Sequence, residues 1–440
     1  SDWFSESKFT ISWTNPSWER DLIGVSLEYS DSESGAIHNK FKPFPEGQTL
    51  TTVDDSLQES GEYNVSLWLV DELGNEDPTT GQSATLKFDN IPPNPFNLIW
   101  PGNGEWTQAS PPFHFDEQGD YPSGIKAFPL YLNGNIVQSY STVNYSNDDA
   151  YVDIDNDLTD GPYQWWMEVQ DQADNVTRSD TLYFGVDVSP PNITHSNPLT
   201  IIDEGATTPT INASITDPHS GVAWGRLLYR RAGSGASWTT RDIYSTGAVT
   251  IAGSDVNVSG LEYYIETEDQ VGNYIKWPTN KEFQSVQVRS AENISTGSRT
   301  GWSSGIPGGT DLFAYQLFSI PFDVGNAKSA ITSIMGPSDK FKYRLYEYGG
   351  GAEDPWREDP GSITMGNAYF FIFDSDKYVD THPTLTFNFG QGVSTVTDPP
   401  YEKPLASGDW TFFGSPYNYN LTLSKYRQSG IKYIEIKTGG

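Results

Sequence analysis

One sequence unit recurs three times at intervals of about a hundred residues, and it constrains the fold more than any other feature of the chain. The first copy runs from Gly61-Glu62-Tyr63 to Asp71-Glu72-Leu73-Gly74-Asn75. The second, with identical internal spacing, runs from Gly161-Pro162-Tyr163 to Asp171-Gln172-Ala173-Asp174-Asn175. The third, one residue shorter, runs from Gly260 to Asp269-Gln270-Val271-Gly272-Asn273. Within each copy the hydropathy alternates with period two. One face reads Tyr63, Val65, Leu67, Leu69, then Tyr163, Trp165, Met167, Val169, then Leu261, Tyr263, Ile265, Thr267. That alternation predicts a half-buried strand, and the Asp-x-x-Gly/Asp-Asn that follows predicts a turn. A hundred residues is the size of one β-sandwich, so the repeat predicts three sandwiches in tandem.

Punctuation between the copies supports this division. Asp89-Asn90-Ile91-Pro92-Pro93 and Asp187-Val188-Ser189-Pro190-Pro191 end a strand and stiffen the chain that leaves it. A second recurring element, Asp120-Tyr121-Pro122-Ser123-Gly124-Ile125 and Asp217-Pro218-His219-Ser220-Gly221-Val222, precedes a strand in the second and third modules. The expected division is residues 1–91, 92–190 and 191–290 as modules, 291–309 as a Gly/Ser-rich linker, and 310–440 as a β-rich C-terminal domain. In that last region strands are expected at 317–322, 341–348, 368–373, 384–389 and 410–413. A single short helix is expected at 327–335. The fold class is therefore all-β, with at most a short helix.

The strand beginning Gly-x-Tyr, the Asp-x-x-Gly-Asn turn and the Asp-x-x-Pro-Pro exit resemble bacterial immunoglobulin-like and fibronectin-type-III-like repeats. The third module departs from the pattern, because no Pro-Pro follows Asn273. The C-terminal region resembles a β-rich module near the C-terminus of surface proteins exported by type IX secretion. The residues that carry this second resemblance are Phe318-Ser319-Ile320-Pro321-Phe322, Gly366-Asn367-Ala368-Tyr369-Phe370-Phe371 and Ser407-Gly408-Asp409-Trp410 through Gly414-Ser415-Pro416-Tyr417. Both resemblances imply a secreted or cell-surface bacterial protein. They also imply other surface proteins, extracellular glycans or further copies of the chain as partners.

Composition narrows the chemistry. The net charge of −32 over 440 residues opposes a nucleic-acid partner, whose phosphates demand a basic face, and opposes adhesion to anionic lipid. No apolar run approaches a membrane span. The absence of cysteine excludes disulfides, thiolate metal sites and cysteine nucleophiles. Gly301-Trp302-Ser303-Ser304-Gly305 has the spacing of a nucleophile elbow but lies in the Gly/Ser segment, without the strand-to-helix context that such an elbow needs. Asp153-Ile154-Asp155-Asn156-Asp157-Leu158 begins like a calcium loop, but its sixth position is Leu158 and its twelfth is Gln164, where Gly and Glu belong. His38, His114, His195, His219 and His382 form no ligand spacing. The sequence thus predicts no enzyme.

Two binding expectations follow. A strand that crosses a sandwich puts the loop before it at one end of the module and the turn after it at the other. The first joint should then gather Asp54, Asp55, Asp89 and Asn90 with Asp116, Asp120, Asp171 and Asp174. The second should gather Asp153, Asp155, Asp157, Asp160 and Asp187 with Asp217 and Asp269. Such carboxylate-rich joints suit Ca2+, which takes six to eight oxygen ligands in flexible geometry. Trp68, Trp166 and Tyr264, on the outer face of the repeat strand, are candidates for stacking on sugars, against the alternative that they pack across strands. The leading functional expectation is a structural or adhesive spacer. The alternative is a carbohydrate-binding accessory region of a secreted hydrolase whose catalytic domain lies outside this chain.

Overall fold

The structure is a computed structural model. Residues 1, 18–20, 47, 49, 117–118, 147–148, 207–208, 234, 236, 296–298, 303–314, 350–354, 378–383, 400, 403–410 and 416–440 lie outside the description, which covers the remainder. Among the described residues the chain is all-β apart from one helix and a few single turns, and it divides into two compact units, residues 1–189 and 190–440.

The first unit holds two sandwiches. In the first, one sheet runs Trp3–Phe4, Gln82–Phe88, Gly61–Asp71, Leu22–Asp31, Ile37–Pro43, and it faces the pair Lys8–Ser12 and Thr52–Ser56. Labelled by order along the chain, this is the immunoglobulin-like arrangement: second and fifth strands on one side, third, sixth and seventh on the other. The alternation explains the core. Tyr63, Val65 and Leu67 point inward beside Val25, Leu27 and Tyr29, all buried. The second sandwich repeats the plan. Asn135–Tyr140, Ile125–Leu132, Gly161–Asp171, Leu182–Val186 and Glu105–Thr107 form one sheet. Asn144–Ser146, Asp149–Val152, Phe113–Phe115 and Leu98–Trp100 form the other. Trp165, fully buried, fills the space between them and donates through Nε1 to the Pro101 carbonyl at 3.0 Å.

A further feature of the immunoglobulin-like fold appears at the start of both repeat strands. The Tyr63 hydroxyl donates to the Glu59 carbonyl, and the Tyr163 hydroxyl to the Thr159 carbonyl, each at 2.9 Å. This is the tyrosine corner, a phenol bonded back to the backbone just upstream. Both modules also pair a short early strand parallel to the last one, Trp3 opposite Lys87 and Trp106 opposite Gly185.

In the second unit, the sheet Ile201–Asp203, Gln284–Ser295, Leu261–Asp269, Val222–Arg231, Thr239–Asp242 keeps the same order. Its repeat is one residue shorter and the corner is lost. The Tyr263 hydroxyl instead meets His195 Nε2 at 2.8 Å and accepts from the Leu199 amide at 3.1 Å. The C-terminal domain has a sheet of Gln316–Ser319, Ala368–Phe373, Tyr343–Tyr348 and Trp356–Glu358, covered by the helix Lys328–Met335 through Ile331 and Met335.

Three expectations for this unit need correction. Residues 291–295 are not linker. They extend the strand Gln284–Ser295, which pairs with Asn388–Val393 of the C-terminal domain, Arg289 opposite Val393 and Ser295 opposite Asn388. The Ser290 hydroxyl accepts from the Gly392 amide and the Gln391 side chain reaches the Ala291 carbonyl, so a polar stretch satisfies its backbone there. The strand expected at 384–389 is split into Thr384–Leu385 and Asn388–Val393. Of 410–413, residue 410 is outside the description and Phe413 makes a single bridge to Asn367.

Candidate functional site: the joint of the first unit and an aromatic sheet face

The turn after each repeat strand is one structure in three copies. Asp71 Oδ1 accepts from the amides of Leu73 and Asn75 at 2.9 and 2.8 Å, and its Oδ2 from Asn75 Nδ2 at 2.7 Å. Asp171 does the same with Ala173 and Asn175 at 2.8, 2.9 and 2.7 Å. Asp269 binds the amides of Val271, Gly272 and Asn273, and Asn273 Nδ2. The Asp side chain mimics a backbone acceptor, which is why Asp and Asn recur at this spacing. The fourth residue has positive φ in every copy, at Gly74, Asp174 and Gly272.

In the first unit this turn receives the end of the preceding module. Asp89, fully buried, follows the last strand of module one. Its Oδ2 accepts from the Ser123 amide of module two at 3.1 Å, and its carbonyl accepts from Asn175 Nδ2 at 2.8 Å. Thr177 Oγ1 donates to the Pro93 carbonyl at 2.5 Å, and Asn94 Nδ2 to the Gly119 carbonyl at 2.9 Å. The Asp89 and Pro93 carbonyls thus become the handles by which module two grips the connection.

Here Asp89, Asp120 and Asp171 each bring a carboxylate oxygen within 4.8 Å of the others. Asp89 and Asp171 are fully buried, and among the described residues no Lys, Arg or His forms an ion pair with any of the three. Burial, with the Asp89 and Asp171 carboxylates beside it, pushes the Asp120 carboxyl above its ordinary range, although the Gly124 amide and the Ser123 hydroxyl pull the other way. An all-oxygen, anionic, partly dehydrated set of this kind suits a hard divalent cation.

The other aspartates expected at this joint sit elsewhere. Asp55 is buried in module one, where it accepts from the Tyr29 hydroxyl at 2.5 Å and pairs with Lys40 and Lys42 at 3.2 and 3.1 Å. Asp54 accepts from Thr10. Asp116 binds the amide and side chain of Asn97, and Asp174 pairs with Lys126. Of those expected at the second joint, Asp153, Asp155 and Asp157 are exposed, because Ile154 and Leu158 beside them pack against the module-two core. Asp160 accepts from the Val188 amide and the Ser189 hydroxyl, and Asp187 is buried at the close of the first unit. In the second unit Asp217 and Asp269 approach within 4.8 Å. Asp217 Oδ1 caps the amides of His219 and Gly221, while its buried Oδ2 has no hydrogen-bond partner among the described residues.

The three expected stacking aromatics do lie on the outer faces of their strands, and their rings are engaged there. Trp166 stacks on Tyr131 at 5.0 Å and 8°, with the Arg178 guanidinium 4.3 Å from its centroid. Tyr131 and Arg178 belong to the strands on either side of the Trp166 strand. Trp68 Nε1 donates to Glu76 at 2.8 Å. Tyr264 meets Trp238 edge-on at 4.8 Å and lies under Lys276 at 4.0 Å. Ser303 and His382 lie outside the described residues.

A shallow groove of about 380 Å3 on the outer face of the module-two sheet escaped the sequence reading. It is lined by Trp106, Asn133, Pro162, Gln164, Tyr183 and Gly185 among others, none of them charged. The signal available was the alternation Leu182-Tyr183-Phe184, which turns Tyr183 outward. The position of Trp106 comes from a parallel pairing that the sequence does not announce.

No family model matches the chain, and no curated protein does. Solved structures that align with it include fibronectin(III)-like modules of Clostridium thermocellum CbhA. These are 13% identical over 44% of this chain and 92% of that one, with a TM-score of 0.24. A tetra-tandem repeat from the extending region of a large adhesion protein is 13% identical over 88% and 95%, with a TM-score of 0.25. The Bacteroides ovatus mixed-linkage glucan utilization locus protein SGBP-B, solved with a mixed-linkage heptasaccharide, is 14% identical over 90% and 92%, with a TM-score of 0.16. At these scores none of the three bears on the argument.

Proposed function

We propose that this chain is a non-catalytic spacer of an extracellular or cell-surface protein, built to hold successive immunoglobulin-like modules in fixed relation. The observation that carries this reading is the first joint. A free tether between modules would be solvated, whereas Asp89 is fully buried and residues 89–94 share four hydrogen bonds with module two: Ser123 and Asn175 donate to Asp89, Thr177 donates to Pro93, and Asn94 donates to Gly119. Such clamping fits a stalk, whose reach depends on its joints.

Calcium belongs to the same proposal. Asp89, Asp120 and Asp171 would supply carboxylate oxygens, and the ion would offset the mutual repulsion of three anions that no cation among the described residues pairs with. The test is thermal unfolding and small-angle scattering of the whole chain in calcium and in chelator. A calcium-dependent rise in Tm supports the cation. A Tm and a maximum dimension indifferent to calcium would remove it, leaving the hydrogen-bonded clamp to be judged separately.

A further inference from the structure

We infer that the outer face of the module-two sheet is a binding site for a neutral polysaccharide, with Trp106 and Tyr183 as its platform. This inference goes beyond the spacer reading and rests on different residues.

The first observation is how the platform is built. Trp106 stands opposite Gly185 on the neighbouring parallel strand. A Cβ at position 185 would lie 2.4 Å from both Cδ2 and Cε3 of the indole. Distances this short and this similar to adjacent ring atoms place it over the face of the ring. The indole therefore lies flat along the sheet, and only glycine permits it. Next along the same face stands Tyr183, 57% exposed, opposite Gln164. An indole laid flat along a sheet, with an exposed phenol next to it, offers apolar area without the bulk needed to fill a protein partner's pocket. The C–H face of a pyranose ring matches them in shape and polarity.

The second observation is the polar rim. Asn133, exposed and at φ 49°, holds its loop by accepting from the Gln164 amide through Oδ1, and its Nδ2 is the donor end of the same side chain. The Gln164 side-chain amide makes no hydrogen bond to the described residues and offers both a donor and an acceptor. Neighbouring sugar hydroxyls need that mixture.

The third observation is charge. In a chain of net charge −32, this groove has no charged lining residue. A groove in the C-terminal domain is, by contrast, lined by Glu347, Arg357, Glu358 and Asp359 among others. A neutral island in an acidic protein suits an uncharged ligand and disfavours acidic polymers.

The experiment is affinity electrophoresis of the whole chain in gels containing hydroxyethylcellulose, xylan or polygalacturonate. The wild type is compared with Tyr183→Ala, Gly185→Ala and Gln164→Ala. Retardation is expected in at least one of the two neutral polymers and not in polygalacturonate. Tyr183→Ala should weaken it about tenfold, the cost of losing one stacking ring at the centre of a site. Because Tyr183 is more than half exposed, this variant should keep the wild-type melting curve. Gly185→Ala, which pushes the indole off the sheet, should weaken retardation as well. Four results would overturn the inference: no retardation in either neutral polymer, retardation unchanged in Tyr183→Ala, retardation by polygalacturonate alone, or a dimer that Tyr183→Ala dissolves.

Discussion

Asp71 and Asp171 close the same turn with the same three hydrogen bonds, yet one is partly exposed and the other is fully buried. The difference lies in what precedes each module. Before Asp171 comes the exit of another module, whose Asp89, with Pro93 of the connection after it, docks on residues 123 and 175–177. The turn is therefore a self-sufficient local structure, to which the first joint adds the carboxylate of Asp89 from the preceding module. The hydrogen bonds to the Asp71 carboxylate, first from the Asn75 side chain and then from the turn amides, hold its carboxyl below the ordinary range. At Asp120 burial and like charge do the opposite.

The comparison can be broken most sharply by removing each Asp. Asp171→Ala strands the amides of Ala173 and Asn175 and the Asn175 side chain where water cannot replace the lost acceptor. It should cost about 3 kcal/mol of unfolding free energy in denaturant titration. Asp71→Ala removes the same bonds where water can take over, so its loss should be clearly smaller. Equal losses would mean that the joint adds nothing to the turn.

Asp120→Asn tests the repulsion. It keeps an oxygen for the Ser123 and Gly124 donors and deletes one of three crowded charges. In chelator its Tm should equal or exceed that of the wild type. In calcium the wild type should gain and the variant should not. A variant less stable than the wild type in chelator would contradict the account.

The tyrosine corners sharpen the comparison at smaller amplitude. Tyr63→Phe and Tyr163→Phe each delete one phenol-to-carbonyl bond at an equivalent place, and each should cost about 1 kcal/mol. The third module lacks this corner and carries a different sensitivity. His195 is held between the Asn212 carbonyl, 2.6 Å from Nδ1, and the Tyr263 hydroxyl, with Trp277 edge-on at 4.6 Å. Burial lowers its pKa below the ordinary 6.5. A lowered folded-state value means that the unfolded chain binds the proton first. Stability of this module should thus be full above pH 6.5 and fall as the pH drops below it. Tryptophan fluorescence melts from pH 8 to pH 5, compared with His195→Gln, would show whether that slope disappears.

These contrasts also show what the sequence could reveal. The repeat strand and its turn were legible because their causes are local: period-two hydropathy, and an Asp bonding amides two to four residues away. Asp89, Asp120 and Asp171 were legible because they sit at recurring positions in the repeat. Loop position alone assigns Asp54, Asp55 and Asp116 to the same joint. Their actual partners, Thr10, Tyr29, Lys40, Lys42 and Asn97, lie on other strands and segments, and sequence spacing does not predict such pairings. The outward aromatics Trp68, Trp166 and Tyr264 were placed on the correct faces, but not their neighbours Glu76, Arg178, Tyr131 and Lys276. The Trp106–Gly185 contact depends on a parallel pairing between distant strands, so no local pattern exposes it.

The central claim is that the first joint is a clamp rather than a tether, and an interspin distance measures this most directly. The chain has no cysteine, so Ser83→Cys in module one and Ser139→Cys in module two, both exposed, give a cleanly double-labelled protein. The account predicts one narrow distance distribution by pulsed electron paramagnetic resonance, broadened when Asn175→Ala and Thr177→Val remove two of the bonds to the connection. A broad distribution in the unmodified joint, unchanged by those substitutions, would contradict it.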